Sequence, residues 1–556
     1  MLGVHTSLGG NMLTNSNVEH GSANSPTDSS FDVIIVGAGF SGLRSLHSLR
    51  KAGLSVKIIE ASDEVGGVWN HNRYPGARCD VESYDYSFGF SDELQQQWRW
   101  SERYAQQPEI LRYANHVCDR FQLRSDILFD CRMLGADFNE DSASWTVATD
   151  SLGQLQCRHL ILAVGQLSKI KTPIIPGAAS FAGEIHHSGA YPREPLDFAG
   201  KRVGIIGTGS SGVQMTPVIA RQAEHLSVFQ RTANYSIPAC HAEISDADDA
   251  LVKASYGERR EQARNSPSGL GFMPNRRSAL DDSPEVREQI FETAWNRLGF
   301  GFALAYYDIL LNIESNNTAV EFVNRKIAEK VDDPELCKKL TPHGFPFGAM
   351  RPAVDHGYYQ AFNRSNVELV DIKQAPIEAI TETGITTSNG EYPLDIIIYA
   401  TGFDVFTGSI LAPLIRGRNG LSLEQKWSQG PRNYLGLGTH DFPNLFIMVG
   451  PGSPSLLSNV IVSIEDHAQF ICSLITSADS LGKQTIEVNL DAENDWVEHV
   501  NERAQETLYP LAPSYYMGNE VAGKPKVFMP YSGGVRGYRR ILENVRNSDW
   551  KGFDIS

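Results

Sequence analysis

Cysteine is scarce in this chain, long apolar runs are missing, and positive charge is in deficit. Seven cysteines occur in 556 residues, and no two stand in a CxxC spacing. That argues against a disulfide framework and against a zinc site, and no metal is expected. A reducing compartment is the simpler reading. No uninterrupted apolar run approaches the roughly 20 residues that cross a bilayer. Lysine and arginine total 49 against 66 acids, a formal net charge of −17. That balance argues against nonspecific binding to nucleic acid or to an anionic membrane surface. The first 30 residues are polar and lack the basic start and apolar stretch of a signal peptide. A flexible tail over 1–30 and a cytoplasmic protein are the expectations.

What is abundant is glycine, 49 residues gathered into recognisable loops, in a chain that is 41% apolar and long enough for more than one domain. The first loop lies in FDVIIVGAGFSGLRSLHSLRKAG. An apolar strand, Val33 to Val36, runs into Gly37, Gly39 and Gly42, with Ser41 between. A helix follows, carrying Leu43, Leu46 and Leu49 at helical spacing, with Gly53 as its stop. The glycines permit a tight turn, a close approach of backbone to a pyrophosphate, and tight strand–helix packing. The helix N-terminus then faces the phosphate charge. A second strand, SVKIIE, ends in Glu60, where a carboxylate binds ribose hydroxyls.

The same grammar returns in KRVGIIGTGSSGVQMTPVIARQAEHLSVFQRT, with Gly207, Thr208, Gly209, Ser210, Ser211 and Gly212 forming the loop. Here the second strand ends in Arg231 and Thr232 rather than an acid. A carboxylate repels a ribose 2′-phosphate, whereas a guanidinium binds it in a two-pronged contact. The first site therefore reads as FAD and the second as NADPH; the plain alternative is an arginine that merely closes a surface strand. LDIIIYATGFDV and HLILAVGQ are buried strands of the kind that carry a chain back between nucleotide domains. The fold class expected is α/β, two Rossmann-like dinucleotide-binding domains with a helical insertion. Two linked nucleotide folds also suit a disulfide reductase, but no redox-active cysteine pair is present. Dioxygen is the leading acceptor for the electrons.

Two further stretches carry a family resemblance. GGVWNHNRYPGARCD, Gly66 to Asp80, resembles the long fingerprint of the type I Baeyer–Villiger monooxygenases, GGxWxxNRYPGxxxD. FAGEIHHSGAYP resembles their second fingerprint, FxGxxxHxxxWP, through Phe181, Gly183, His187 and Pro192, with Tyr191 in place of the tryptophan. The resemblance runs from about Phe31 to Phe553. It is most specific toward the phenylacetone and steroid monooxygenase branch, through GPGSPSLLSNVIVSIE and YYMGNEVAGKPKVFMPY.

The resemblance implies a mechanism in which NADPH reduces FAD, a C4a-peroxyflavin forms with O2, and that species attacks a ketone to give an ester or lactone. It implies Arg351 as the catalytic cation and Asp80 as the carboxylate that orients it. Val68, Trp69, Asp80 and Tyr86 join the FAD site by the same resemblance. Arg78 and Tyr515 join the NADP site, Tyr515 standing where tryptophan is usual. Ser455, Leu456, Leu457 and Met517 line the substrate pocket. His187 sits in a linker between nucleotide domains, as a hinge and subclass marker, and His186 is a bystander.

By this reading an FAD-binding domain comprises 31–160 and 400–556, an NADP-binding domain 165–235 and 348–395, and a helical insertion 240–345. ITETGITTSNGEYPLDI reads as a hairpin turning at Asn389-Gly390. Ser283-Pro284-Glu285 starts a helix with Val286, Ile290, Phe291 and Ala294 on one face; Val320, Val323, Ile327 and Val331 form another stripe. The function expected is NADPH- and O2-dependent oxidation of a ketone, bulky and cyclic or aryl. The alternatives are a flavin-dependent N- or S-oxygenase, favoured by Tyr191, and a catalytically silent flavin- and NADPH-binding protein. Oligomeric state is left open.

Overall fold

The computed structural model of the chain describes residues 30–297, 299–519 and 521–556. The tail read over 1–30 lies, apart from Ser30, outside them. Two sheets organise the rest. The first is built around strand Ser30–Val36, which pairs in parallel with Val56–Ile59 on one side and Gln154–Leu162 on the other. Val33, Ile34 and Ile35 are fully buried, as expected of a parallel strand covered on both faces. Ile127–Leu128 extends the sheet beyond Val56–Ile59. Beyond Gln154–Leu162 come the antiparallel strands Ser144–Thr149 and Met133–Asn139, then Leu414–Arg416. Leu445–Ile447 pairs with the C-terminal half of Gln154–Leu162.

The second sheet is wholly parallel, in the order Val367–Asp371, His225–Gln230, Arg202–Ile206, Ile396–Tyr399, Glu184–His187. The strand in LDIIIYATGFDV is thus an interior strand of this sheet, whereas HLILAVGQ ends the long strand of the first. The first four residues of EIHHSGAYP form the edge strand rather than a connection. Two adjacent histidines carry no strand signature, so pairing with Ile396–Tyr399 overrides local preference here.

The predicted hairpin is a three-stranded antiparallel meander, Ile377–Thr381, Gly384–Thr387 and Gly390–Pro393. Its turn falls one residue early, because Thr387 pairs with Gly390 and the turn residues are Ser388 and Asn389. Thr387 Oγ1 accepts from the Asn389 amide at 3.2 Å, a side-chain turn that pulls the reversal back.

Helices Asp246–Ala254, Tyr256–Asn265, Pro284–Trp295, Ile313–Ala328 and Pro334–Leu340 follow the second nucleotide unit. Ser283 caps the third of these through the Val286 amide, with Pro284 at its first position. Val286 itself is 38% exposed, so the expected stripe begins only at Ile290. The first helical turn overhangs the cluster of Phe291, Phe302 and Phe322 that buries the rest. Among the described residues no helix is long and apolar enough to cross a membrane.

Candidate functional site

The two glycine loops repeat each other atom for atom in their backbone bonding. Gly37 donates to the Ile59 carbonyl at 2.8 Å, and Ala163 donates to Val36 at 2.9 Å. Gly207 donates to Phe229 at 3.0 Å, and Ala400 donates to Ile206 at 2.9 Å. Each loop therefore sits at the carboxyl end of a central strand, between the strands that flank it, the switch point where α/β sheets bind ligands. Gly37 and Gly207 have φ of 106° and 114°, and a Cβ on either meets a carbonyl oxygen at 2.6 or 2.5 Å. A Cβ on Gly42 or Gly212 lies 1.9 or 2.1 Å from the first glycine's oxygen. These four positions are closed by the protein itself.

The middle glycines differ. A Cβ on Gly39 meets only ordinary contacts, and one on Gly209 meets nothing within 4 Å. Among the described residues nothing crowds the space beside them, which fits close approach of a pyrophosphate. Gly39 and Gly209 also precede helices Phe40–Lys51 and Ser210–Ile219, neither of which has a side-chain cap or an acid in its first turn. Both helix ends thus keep their amide donors and positive dipole available to an anion. Ser41 is buried in the first of these turns; Ser210 and the half-buried Ser211 lie in the second.

The strand ends carry the expected opposite charges. Glu60 is buried, and its carboxylate accepts from the Ala38 amide at 2.6 Å and the Ser62 amide at 2.8 Å. Arg231 is exposed and, among the described residues, takes part in no ion pair; Thr208 Oγ1 donates to the Thr232 carbonyl at 3.1 Å beside it. The donor sets fit FAD at the first loop and a 2′-phosphorylated dinucleotide at the second.

The segment Gly66 to Asp80 connects the two. A Cβ on Gly67 would stand 3.0 Å from the Cα of Gly39. Val68 and Trp69 begin the short helix Val68–His71, and Trp69 Nε1 donates to Tyr86 Oη at 3.1 Å. Further on, Tyr74 Oη donates to Gln214 Oε1 at 2.8 Å. Gly76 packs so closely on the second helix that a Cβ would meet the Gln214 carbonyl at 2.6 Å. Gln214 Nε2 in turn donates to the Arg78 carbonyl at 3.1 Å. The Arg78 guanidinium is held by Glu102, at 3.2 Å, and lies against His241.

The segment ends where Arg351 arrives from the second unit. Arg351 Nε donates to Asp80 Oδ2 at 2.7 Å, and Nη2 donates to Oδ1 at 3.0 Å, a bidentate pair. Nη1 donates to the Leu456 carbonyl at 2.6 Å. Asn234 Nδ2 holds the Arg351 carbonyl at 3.0 Å. The side chains are only 13% and 24% exposed. Burial works against the arginine's charge, but the Asp80 carboxylate outweighs it and holds the guanidinium pKa well above its ordinary value. The result is a fixed, half-buried cation, a group suited to stabilise negative charge that develops beside it.

Of the expected pocket residues, Leu456 touches the arginine directly, with φ of 65°. Leu457 is half-buried beside it, and Ser455 is fully buried with an unpartnered Oγ. Tyr515 and Met517 belong to the short helix Tyr515–Met517, and Tyr515 stands edge-on to Tyr516 with ring centroids 4.6 Å apart. Sequence reasoning did not single out Tyr74, Gln214, Asn234 or Tyr516. Only the Tyr-Pro-Gly of the fingerprint hinted at the first two.

The second fingerprint stands apart from the Arg351–Asp80 pair. His187 Nδ1 accepts from the Gly189 amide at 3.0 Å, and Nε2 lies 3.3 Å from both the Lys171 carbonyl and Thr401 Oγ1. Burial pushes its pKa down, leaving a neutral ring. Lys171 donates to Gly402 at 3.0 Å, so His187 sits where two strand exits run side by side. Gly183 packs on Phe181 and the Asp395 carbonyl. Tyr191 is buried, with its amide on the His71 carbonyl at 3.3 Å, and Pro192 follows half-exposed. His186 pairs with Glu184 at 2.9 Å.

Comparison with known proteins agrees with this layout. The family of pyridine nucleotide-disulphide oxidoreductases matches residues 34–246. All seven cysteines here are free, so the likeness lies in the nucleotide fold and not in disulfide chemistry. Cys79, Cys118, Cys131 and Cys157 are buried, and burial pushes the Cys79 thiol well above its usual range. A Baeyer–Villiger monooxygenase of Pseudooceanicola batsensis is 40% identical, over 94% of this chain and 95% of its own. A phenazine N-monooxygenase of Lysobacter antibioticus is 39% identical, over 94% and 96%. The solved structure of an oxidised steroid monooxygenase bound to NADP superposes with a TM-score of 0.92 at 48% identity, covering 95% of this chain and 99% of that one.

Proposed function

The chain belongs to the Baeyer–Villiger monooxygenases, FAD- and NADPH-dependent oxidoreductases, and on that basis we propose that it converts a bulky cyclic or aryl ketone to an ester or lactone. The observation that carries this reading is the half-buried, bidentate Arg351–Asp80 pair at the meeting point of both nucleotide units. FAD, when bound and reduced by NADPH, supplies the activation of dioxygen. The chain supplies position and charge. Gly37 to Gly42 and Glu60 hold the flavin nucleotide; Gly207 to Gly212, Arg231 and Thr232 hold NADPH. Arg351 would face the reacting carbonyl and stabilise negative charge that develops on its oxygen, at little cost of reorganisation because Asp80 already pairs with it in bidentate fashion. Leu456, Leu457 and Met517 present an apolar wall to the ketone.

The same reading divides the chain into an FAD domain over 31–160 and 400–556, an NADP domain over 165–235 and 348–395, and a helical insertion over 240–345. The likeness to a phenazine N-monooxygenase and the tyrosine at position 191 favour N-oxygenation as a second reading. Incubation under 18O2 with NADPH and separate aryl ketone, bicyclic ketone and phenazine substrates decides between them. Ester or lactone carrying one 18O supports the proposal. N-oxide as the sole labelled product would replace it, and NADPH turnover without any labelled product would sink both.

A further inference from the structure

Arg351 is gripped by more than the Asp80 carboxylate. The Leu456 carbonyl accepts from Nη1 at 2.6 Å, and the Tyr516 hydroxyl also bonds to the guanidinium. That carbonyl is aimed by a φ of 65° at Leu456. A leucine enters this left-handed region only where its surroundings impose it, at about 1–2 kcal/mol. The surroundings are on view. Tyr516 Oη donates to the same carbonyl at 3.3 Å, and Tyr516 is buried. Its own backbone is tied down: Met529 donates to the Tyr516 carbonyl at 2.8 Å, and Gly452 donates to the Met529 carbonyl at 2.7 Å. Tyr531 donates to the Ser453 carbonyl at 2.8 Å. Tyr516 and Met529–Tyr531 are thus laced to Gly452–Leu456, and Tyr516 is the link toward the arginine.

We propose that Tyr516 is a positioning residue for Arg351: its hydroxyl holds the Leu456 carbonyl in the left-handed turn, and that carbonyl and Asp80 together aim the guanidinium. The proposal rests on the reading of Arg351 as the group that faces the ketone, and it deepens that reading. A ketone seated against Leu456 and Leu457 presses on the peptide that holds Nη1. Pocket occupancy and arginine orientation are therefore coupled through the Leu456 carbonyl. Burial raises the Tyr516 pKa, against the pull of the Arg351 charge, so the phenol stays protonated and donates.

The test is Tyr516→Phe in the FAD-loaded protein, which removes the hydroxyl and keeps the ring. Phenylglyoxal modification of individual arginines is followed by peptide mass spectrometry, alongside steady-state kinetics. Modification at Arg351 is expected to rise about threefold or more, with no change at Arg259, which Asp85 and Glu82 hold. The kcat is expected to fall about tenfold, the worth of one hydrogen bond to a charged site, with the ketone KM within about twofold. Modification of Arg351 at the parent rate overturns the proposal. So does an equal rise at Arg259, which marks general loosening. If the parent itself oxidises no ketone, the proposed function fails, while the labelling ratio still decides the clamp.

Discussion

The hydroxyl of Tyr74 donates to Oε1 of Gln214 at 2.8 Å, joining the segment that ends in Asp80 to the helix that follows the second glycine loop. Both nucleotide units are thereby referred to one short stretch of chain. It begins against Gly39, crosses to Gln214 and stops at the carboxylate that holds Arg351. The fingerprint is therefore a connector between the two units.

Removing the arginine tests the chemistry. Arg351→Ala is expected to lower kcat by about 10²–10³-fold, the usual loss when a fixed donor to a developing oxyanion is deleted. FAD content, read from the flavin absorbance of the purified protein, is expected to stay at the parent level, because the backbone bonds that shape the first glycine loop run to Ile59 and Ala163. Asp80→Ala leaves a mostly buried cation without its carboxylate and destabilises the fold by about 3 kcal/mol, measured by denaturant unfolding.

The glycines of the second loop separate by role. Gly212→Ala places a Cβ 2.1 Å from the Gly207 oxygen, so it lowers the melting temperature of the protein without any ligand. Gly209→Ala meets no protein atom within 4 Å and leaves the ligand-free melting temperature unchanged. Its effect is on the dinucleotide: the NADPH KM rises, and the upward melting shift produced by NADP+ shrinks. Equal behaviour of the two variants would contradict the assignment.

Arg231→Ala addresses the choice between NADPH and NADH. One charge-assisted contact to the 2′-phosphate is worth about 1.5–3 kcal/mol, so the NADPH KM is expected to rise about 10- to 100-fold. The NADH KM changes little. An equal effect on both coenzymes would place Arg231 outside the phosphate site.

A pH dependence follows from Asp466, whose carboxyl is pushed up to about 7 from its ordinary value of 3.8. Burial is the cause; Arg539, 3.2 Å away, and Arg264 oppose it, while Glu465 and Glu543 reinforce it. A raised pKa means the folded protein holds a proton that the unfolded chain has released between about pH 4 and 7. Stability from this group is therefore full at about pH 4 and lost as pH rises through 7. Asp466→Asn lacks that loss. The melting temperature of the variant relative to the parent should climb across this window and level off above it.

The Arg351–Asp80 pair was reached only through the family resemblance, whereas the glycine loops and both strand–helix–strand units were legible because each depends on residue type at a set spacing. Glu60 and Arg231 were legible for the same reason, as charges at the ends of strands. The edge strand Glu184–His187 was not, since its pairing partner lies more than 200 residues away and its own residues carry no strand pattern. The turn at Ser388 and Asn389 was misplaced because a threonine hydroxyl competed with the stronger Asn-Gly signal. Nothing in the leucine at 456 announces a left-handed backbone, and nothing in the second of two adjacent tyrosines announces a hydrogen bond to it. Those features exist only once distant segments are packed together.

Cys79, the neighbour of Asp80, is buried, and its thiol is held in the protonated form first by burial and then by the adjacent carboxylate. Sulfur attacks an oxidant as thiolate, and sulfenic acid forms at the rate the thiolate fraction allows. Burial beside Asp80 thus keeps this cysteine chemically quiet toward oxidants, one residue from the carboxylate that holds Arg351.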